Sequence, residues 1–274
     1  MNWFLLAFIS ALFSAAAAVS EKKTLFSMGA LNFSFLVSVV TLLFSLPFFF
    51  LVQYEFVFSF SMIILFIKAV LGAAAFLCVM SAIKNLEISE ALPLLALSPG
   101  LVAIAGVIFI NDYLSLIEWF GIFLMVIGAY ILELKKNFSP LEPFKTLFSF
   151  SKYSYVFYAL VLFAVTSLLD RVLLKDFKFP PYTFMAFQQL FYALIFTTII
   201  LFKNKNISLP VKNINKDVFY LIILVSVFTV IYRYTQIEAT KLAPVALVLS
   251  VKRLSVLMAI IFGGKLFSEE NLTR

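Results

Sequence analysis

Four basic side chains stand deep inside long apolar runs of this sequence: Lys68, Arg233 and the adjacent pair Lys252-Arg253. A charge at the centre of a bilayer costs about 2.5–3.5 kcal/mol on insertion scales, so each must meet a partner, a cavity or a ligand. Lys252-Arg253 lies about ten residues into its run, too deep to snorkel to an interface. Neighbours on a helix differ by about 100°, so both can border one cavity without pointing the same way. Together they supply donors for a carboxylate or phosphate. Arg233 and Lys68 each read either as cavity lining or as half of an interhelical pair. Asp170 is the main acid at comparable depth; beside Arg171, near a helix end, the two read as an ion pair that closes on itself, with gating or proton coupling as the sharper role for Asp170. The amides Gln188, Gln189 and Asn32 are candidates for substrate contact, against plain interhelical hydrogen bonding. Glu87, Glu90, Glu118 and Glu238, closer to segment ends, read as solvated surface. The surplus of deep positive charge favours an anionic or zwitterionic small molecule.

Other chemistries are excluded by composition. There is no histidine, and Cys78 stands alone. Imidazole bases, histidine proton relays, most zinc sites and an internal disulfide framework are therefore absent. No catalytic residue, metal site or cofactor is assigned. Of the 274 residues, 64% are hydrophobic and 13% charged, against about 45–50% and about 25% in soluble domains. The net charge of +7 is scattered in short gaps between apolar runs, so it forms no nucleic-acid patch. The partners expected are the lipid bilayer, a small-molecule substrate and, as a candidate, a second copy of the chain.

The elements that must position these side chains are membrane helices, each needing about 20 mostly apolar residues. Nine segments qualify: roughly 2–20, 29–52, 61–83, 88–110, 115–134, 154–174, 182–202, 218–240 and 243–267. The runs lack the period-two alternation of an outer-membrane barrel, so the fold class is an all-α integral membrane bundle. Ser14 to Ala18 resembles a signal-peptidase site, but no basic region precedes it, so the first segment reads as a membrane helix. Pro99, between Ser98 and Gly100, should kink the fourth helix and free the carbonyl of Leu95; broken helices at mid-membrane are where transporters place binding groups. The stripe Ser10, Ser14, Ala18 and the run Gly72 to Ala75 read as close helix packing.

A polar stretch with Pro140 and Pro143 separates five segments from four. The organisation expected is a first repeat over 1–136, a linker over 137–153 and a second repeat over 154–274. Shifting by roughly 153–157 positions sets Ser14 and Lys22 on Ser167 and Lys175, Asn32 on Gln189, and Gly106…Asp112 on Gly263…Glu269. An odd number of helices per repeat inverts the second relative to the first, as in many secondary transporters. The fifth segment would recur at about 272–291, past Arg274, so the second repeat is expected to be C-terminally incomplete, its tenth helix missing.

Ala91-Leu-Pro93 through Ser98-Pro99, the Gly106…Asp112 helix end, Leu242-Ala-Pro244-Val through Lys252-Arg253-Leu-Ser, and Phe262-Gly263-Gly264…Phe267-Ser-Glu269-Glu270 resemble the drug/metabolite transporter superfamily in its EamA-type form. Asp112 stands where that family usually has Glu. The resemblance implies two inverted five-helix repeats, a central cavity between the halves, and fifth and tenth helices that buttress rather than line the path. It also implies a multi-pass carrier of the plasma membrane that moves a small metabolite by alternating access.

Loops after odd-numbered segments hold most of the lysines, Lys22, Lys23, Lys135, Lys136, Lys203 and Lys205 among them, which favours an external amino terminus; the resemblance implies both ends cytoplasmic. No GxxxxGK[ST] loop is present, so ATP-driven pumping by this chain is not expected. The alternatives are a membrane-embedded enzyme on lipid-linked substrates, which would lean on Asp, Lys or Ser, and a non-transporting truncated or accessory subunit.

Overall fold

The computed structural model describes residues 2–87, 92, 94–95, 97–133, 154–204 and 215–267. The expected linker at 137–153, Ala91 and Pro93 of the fourth-segment motif, Glu90, and the acidic end at Glu269-Glu270 lie outside the described residues. The helices are α1 (Trp3–Leu25), α2 (Ala30–Phe49), α3 (Phe60–Asn85), α4 (Ser98–Ile110), α5 (Leu116–Glu133), α6 (Ser154–Lys175), α7 (Pro181–Asn204), α8 (Lys216–Leu242), α9 (Val245–Lys252) and α10 (Leu254–Phe267). No strand occurs among the described residues. Seven stretches are long and apolar enough to cross a membrane, one of them running from α9 into α10; α4 and α5 are shorter apolar helices. These nine coincide with the nine apolar segments of the sequence.

The ends of the helices follow local chemistry. Asn2 caps α1, its Oδ1 accepting from the Phe4 N–H at 3.1 Å. Pro181 opens α7, where its missing N–H costs nothing. Asn111 ends α4 in the left-handed region at φ 49°, a conformation Asn tolerates, and the Asp112 N–H then donates back to the Gly106 carbonyl at 3.1 Å. That turn carries the Asp112 side chain inward.

Two breaks replace smooth passage through the membrane. The expected kink within one helix at Pro99 is instead an interruption: Leu97 is a turn, α4 starts at Ser98, and Pro99 sits in its first turn. Proline at that position loses no helical bond. The second break falls at Arg253, between α9 and α10, where the Arg253 N–H donates to both the Leu249 and Ser250 carbonyls.

The packing has a simple rule. The most extensive contacts join α1 to α8, α3 to α6 and α2 to α7. Exchanging α1 with α6, α2 with α7 and α3 with α8 turns the first pair into the second and returns the third to itself. The contacts of α4 with α6 and of α9 with α1 are exchanged likewise, and α4 meets α9. Small residues permit this closeness: Ala7, Ser10 and Ala11 of α1 and Ala73 and Ala75 of α3 are buried. Large apolar side chains such as Phe44, Phe58, Phe109 and Phe202 cover the outside, as lipid contact requires.

Candidate functional site: a cationic chamber between the helices

The deep cations meet through two amide oxygens. Gln188 Oε1, on α7, accepts from Lys68 Nζ of α3 at 2.6 Å and from Arg233 Nη2 of α8 at 3.0 Å. Gln236 Oε1, one turn beyond Arg233, accepts from Arg233 Nη1 at 3.2 Å and from Lys252 Nζ of α9 at 2.6 Å. The result is a continuous chain, Lys68–Gln188–Arg233–Gln236–Lys252, in which neutral dipoles separate like charges. Asp170 of α6 closes one end, 2.7 Å from Lys68 Nζ and 3.7 Å from Arg233 Nη2. The Lys68 contact is ionic rather than a well-aligned hydrogen bond. At the other end the Arg253 guanidinium donates to Ser98 Oγ at the break before α4. Aromatic faces assist: Lys68 Nζ lies 4.9 Å from the Phe184 centroid and Lys252 Nζ 4.5 Å from that of Tyr232.

This chain borders two adjoining cavities. A polar chamber of about 90 Å³ is lined by Lys68, Ser98, Ser167, Asp170, Gln236 and Arg253, among others. A second chamber of about 120 Å³ is lined chiefly by Val37, Phe76, Phe163, Phe196, Tyr192 and Tyr232. Gly72, Phe163, Tyr192, Arg233 and Lys252 belong to both walls. Four cations thus face one acid in the polar chamber. Asp170 is engaged by Lys68 and Arg233, whereas Lys252 and Arg253 have no carboxylate within 4 Å among the described residues. Arg253 Nε has no acceptor there either.

Lys68, Arg233, Lys252, Arg253 and Asp170 therefore converge on one chamber. Gln188 joins them through its oxygen, and Gln189 lines the apolar chamber. Asn32, half-buried near the start of α2, lines neither cavity. Asp170 and Arg171 do not close on one another. A 100° step on the helix sends Asp170 to the chamber and Arg171 to Asp112, whose Oδ1 accepts from Arg171 Nη2 at 3.2 Å. Three contributors went unremarked in the sequence: Gln236, Tyr192 and Tyr232. Gln236 follows Arg233 by three positions on one helical face, a spacing that could have found it. Gly72, read as packing alone, borders both chambers.

A separate cluster closes one end of the bundle. Asp112 gathers Arg171, Lys175 Nζ at 3.3 Å, and the Val245 N–H at the start of α9 at 3.3 Å. Arg171 also donates to the Thr240 carbonyl at 2.6 Å, at the C-terminal end of α8, where a cation suits the helix dipole. At the opposite end Lys22 does the same for α3, donating to Ile83 and Leu86 carbonyls at 2.7 and 2.6 Å. Beside the Asp112 cluster, Phe48, Tyr182 and Tyr234 stack, with centroids 5.3 Å (Phe48–Tyr234) and 5.7 Å (Tyr182–Tyr234) apart. Both groups tie α2 and α4 to α6–α9.

Among curated proteins no sequence match is found. A protein solved by crystallography superimposes with a TM-score of 0.71 over 99% of this chain and 91% of that one, at 14% identity; at that identity the likeness concerns the fold. The model of the EamA-like transporter family matches residues 1–134 and 150–274. An apolar helical bundle with broken helices around a central charged chamber agrees with that match, and the chain is an integral, multi-pass membrane protein of the EamA-like transporter family.

Proposed function

We propose that the chain is a secondary transporter of a small organic anion, working by alternating access between its two repeats, 1–136 and 154–274, in the plasma membrane. Family membership supports a membrane transporter of small molecules. The observation that carries the finer reading is the imbalance of the polar chamber, in which Lys252 and Arg253 have no carboxylate within 4 Å among the described residues while the one acid lining it is already engaged. Hydrogen bonds to charged groups contribute about 1.5–3 kcal/mol each, so an incoming carboxylate gains what the protein itself withholds. A zwitterion is a poorer fit, because its ammonium group would have to displace Lys68 or Arg233 from Asp170.

Asp170 is the proposed gate. It draws Lys68 of α3 and Arg233 of α8 onto α6, and a substrate anion competes with it for Lys68. Binding then loosens a bond between the halves, which is the differential contact that a ligand needs in order to shift a conformational equilibrium.

The test is uptake by vesicles containing the purified chain, with labelled organic anions and cations of matched size. Anion uptake that falls at least about tenfold on Arg253→Ala supports the reading, being the loss of one charge-assisted contact. Preference for cations, unaffected by Arg253→Ala, overturns it.

A further inference from the structure

We infer that the substrate is an amphiphilic anion, with its charged head in the polar chamber and a ring-sized apolar body in the aromatic one, and that Tyr192 over Gly72 sets the space allotted to the body. This rests on the anion reading above and goes beyond it.

The two chambers are chemically unlike and share a wall. The polar one holds every cation of the site; the other shares Arg233 and Lys252 with it but is the more apolar, faced by Phe76, Phe163 and Phe196 together with Val37. A hydrophilic anion such as a small inorganic oxyanion would leave those phenyl groups without a role. Apolar cavities of about 150 Å³ admit a benzene ring. The aromatic chamber, at about 120 Å³, opens on one of about 90 Å³. The pair suits one six-membered ring or a branched chain of similar bulk, joined to a carboxylate by a short spacer.

Tyr192 is the divider. Its hydroxyl lies only 2.2 Å from where a Cβ on Gly72 would stand, and its Cζ 3.1 Å. No side chain fits at position 72 unless the Tyr192 ring moves, and that ring lines both chambers. Gly72 thus lets the hydroxyl end of Tyr192 abut α3, and an added methyl must push the ring into the cavity space that it borders. The charged contacts of Lys252, at the end of α9, and of Arg253, at the break after it, come from a different element.

Equilibrium binding to the whole chain in detergent separates the possibilities, using acetate, 3-phenylpropionate, phenylalanine and phenethylammonium as probes. In the native chain 3-phenylpropionate should bind at least about tenfold tighter than acetate, the least that burying a phenyl group yields, and tighter than phenylalanine. Gly72→Ala should erase most of that ratio, weakening 3-phenylpropionate far more than acetate. Adding Tyr192→Phe, which removes the clashing hydroxyl, should restore it. Phe76→Trp, which fills the same chamber while leaving Gly72 itself unchanged, should also lower the ratio and serves if Gly72→Ala does not fold. Equal binding of acetate and 3-phenylpropionate overturns the inference while the anion reading stands, as do equal losses for both probes in Gly72→Ala and Phe76→Trp. Tightest binding by phenethylammonium overturns the anion reading itself.

Discussion

Arg253 donates to Ser98 across the centre of the bundle, and each of the two residues stands at a helix break. They also lie 155 positions apart, within the offset of roughly 153–157 that the sequence suggests between two repeats. The two interruptions are thus the same feature used twice, and the bond joins them. Ser98→Ala should leave Arg253 short of an acceptor, costing about 1–3 kcal/mol. Thermal unfolding in detergent is expected to drop accordingly, and anion affinity to fall because the guanidinium is no longer aimed.

Lys252 and Arg253 should show a trade between stability and affinity. Neither has a carboxylate within 4 Å among the described residues; Lys252 is repelled by Arg233 and Arg253 more than it is drawn by Asp170 and the buried Glu21, so neutralising either member of the pair relieves repulsion. Lys252→Gln and Arg253→Gln are expected to leave the melting temperature unchanged or raise it, while weakening anion binding at least about tenfold, the loss of one charge-assisted hydrogen bond. Stabilisation bought by loss of function is a common pattern at binding sites. A fall in both quantities would count against a ligand-facing role.

The Lys68–Asp170 pair should behave oppositely. Breaking a buried pair from one side typically costs about 3–5 kcal/mol, since an uncompensated charge stays behind. Lys68→Ala should therefore destabilise strongly, and Asp170→Asn more so because it strands both Lys68 and Arg233. The double change Lys68→Gln with Asp170→Asn should recover part of the loss, and a thermodynamic cycle over the four chains measures the coupling.

Asp112→Asn tests the closed end. The amide can still accept from the Val245 N–H but no longer neutralises Arg171 and Lys175. A stability loss of about 1–3 kcal/mol is expected, together with faster opening of that end, read as quicker exchange of labelled substrate across vesicles at unchanged binding affinity.

Much of this was legible beforehand. Apolar runs about 20 residues long locate the helices because lipid leaves the backbone no other partner. The cost of a buried charge points to Lys68, Arg233 and Lys252-Arg253 for the same reason. What the sequence could not disclose is which groups meet. Asp170 and Arg171, adjacent in the chain, belong to different clusters, and Arg171 finds Asp112 of α4 instead. Gly72 looks like any small packing residue until the Tyr192 hydroxyl is seen against it. Asn32 aligns with Gln189, yet only Gln189 reaches a chamber, because the exchange of helices is approximate in side chains even where it holds in packing.

The bridging of Lys68 from α6 and α7 bears on how the chain is made. Its amide acceptor lies 120 positions further along, so α3 enters the membrane well before anything can answer its charge. At ordinary rates of synthesis that interval is on the order of ten seconds. During it the ammonium group must stay hydrated, at the translocon or by bending toward an interface. The third helix is therefore held provisionally until the sixth and seventh arrive, and a chain halted between them should be the form most exposed to membrane quality control.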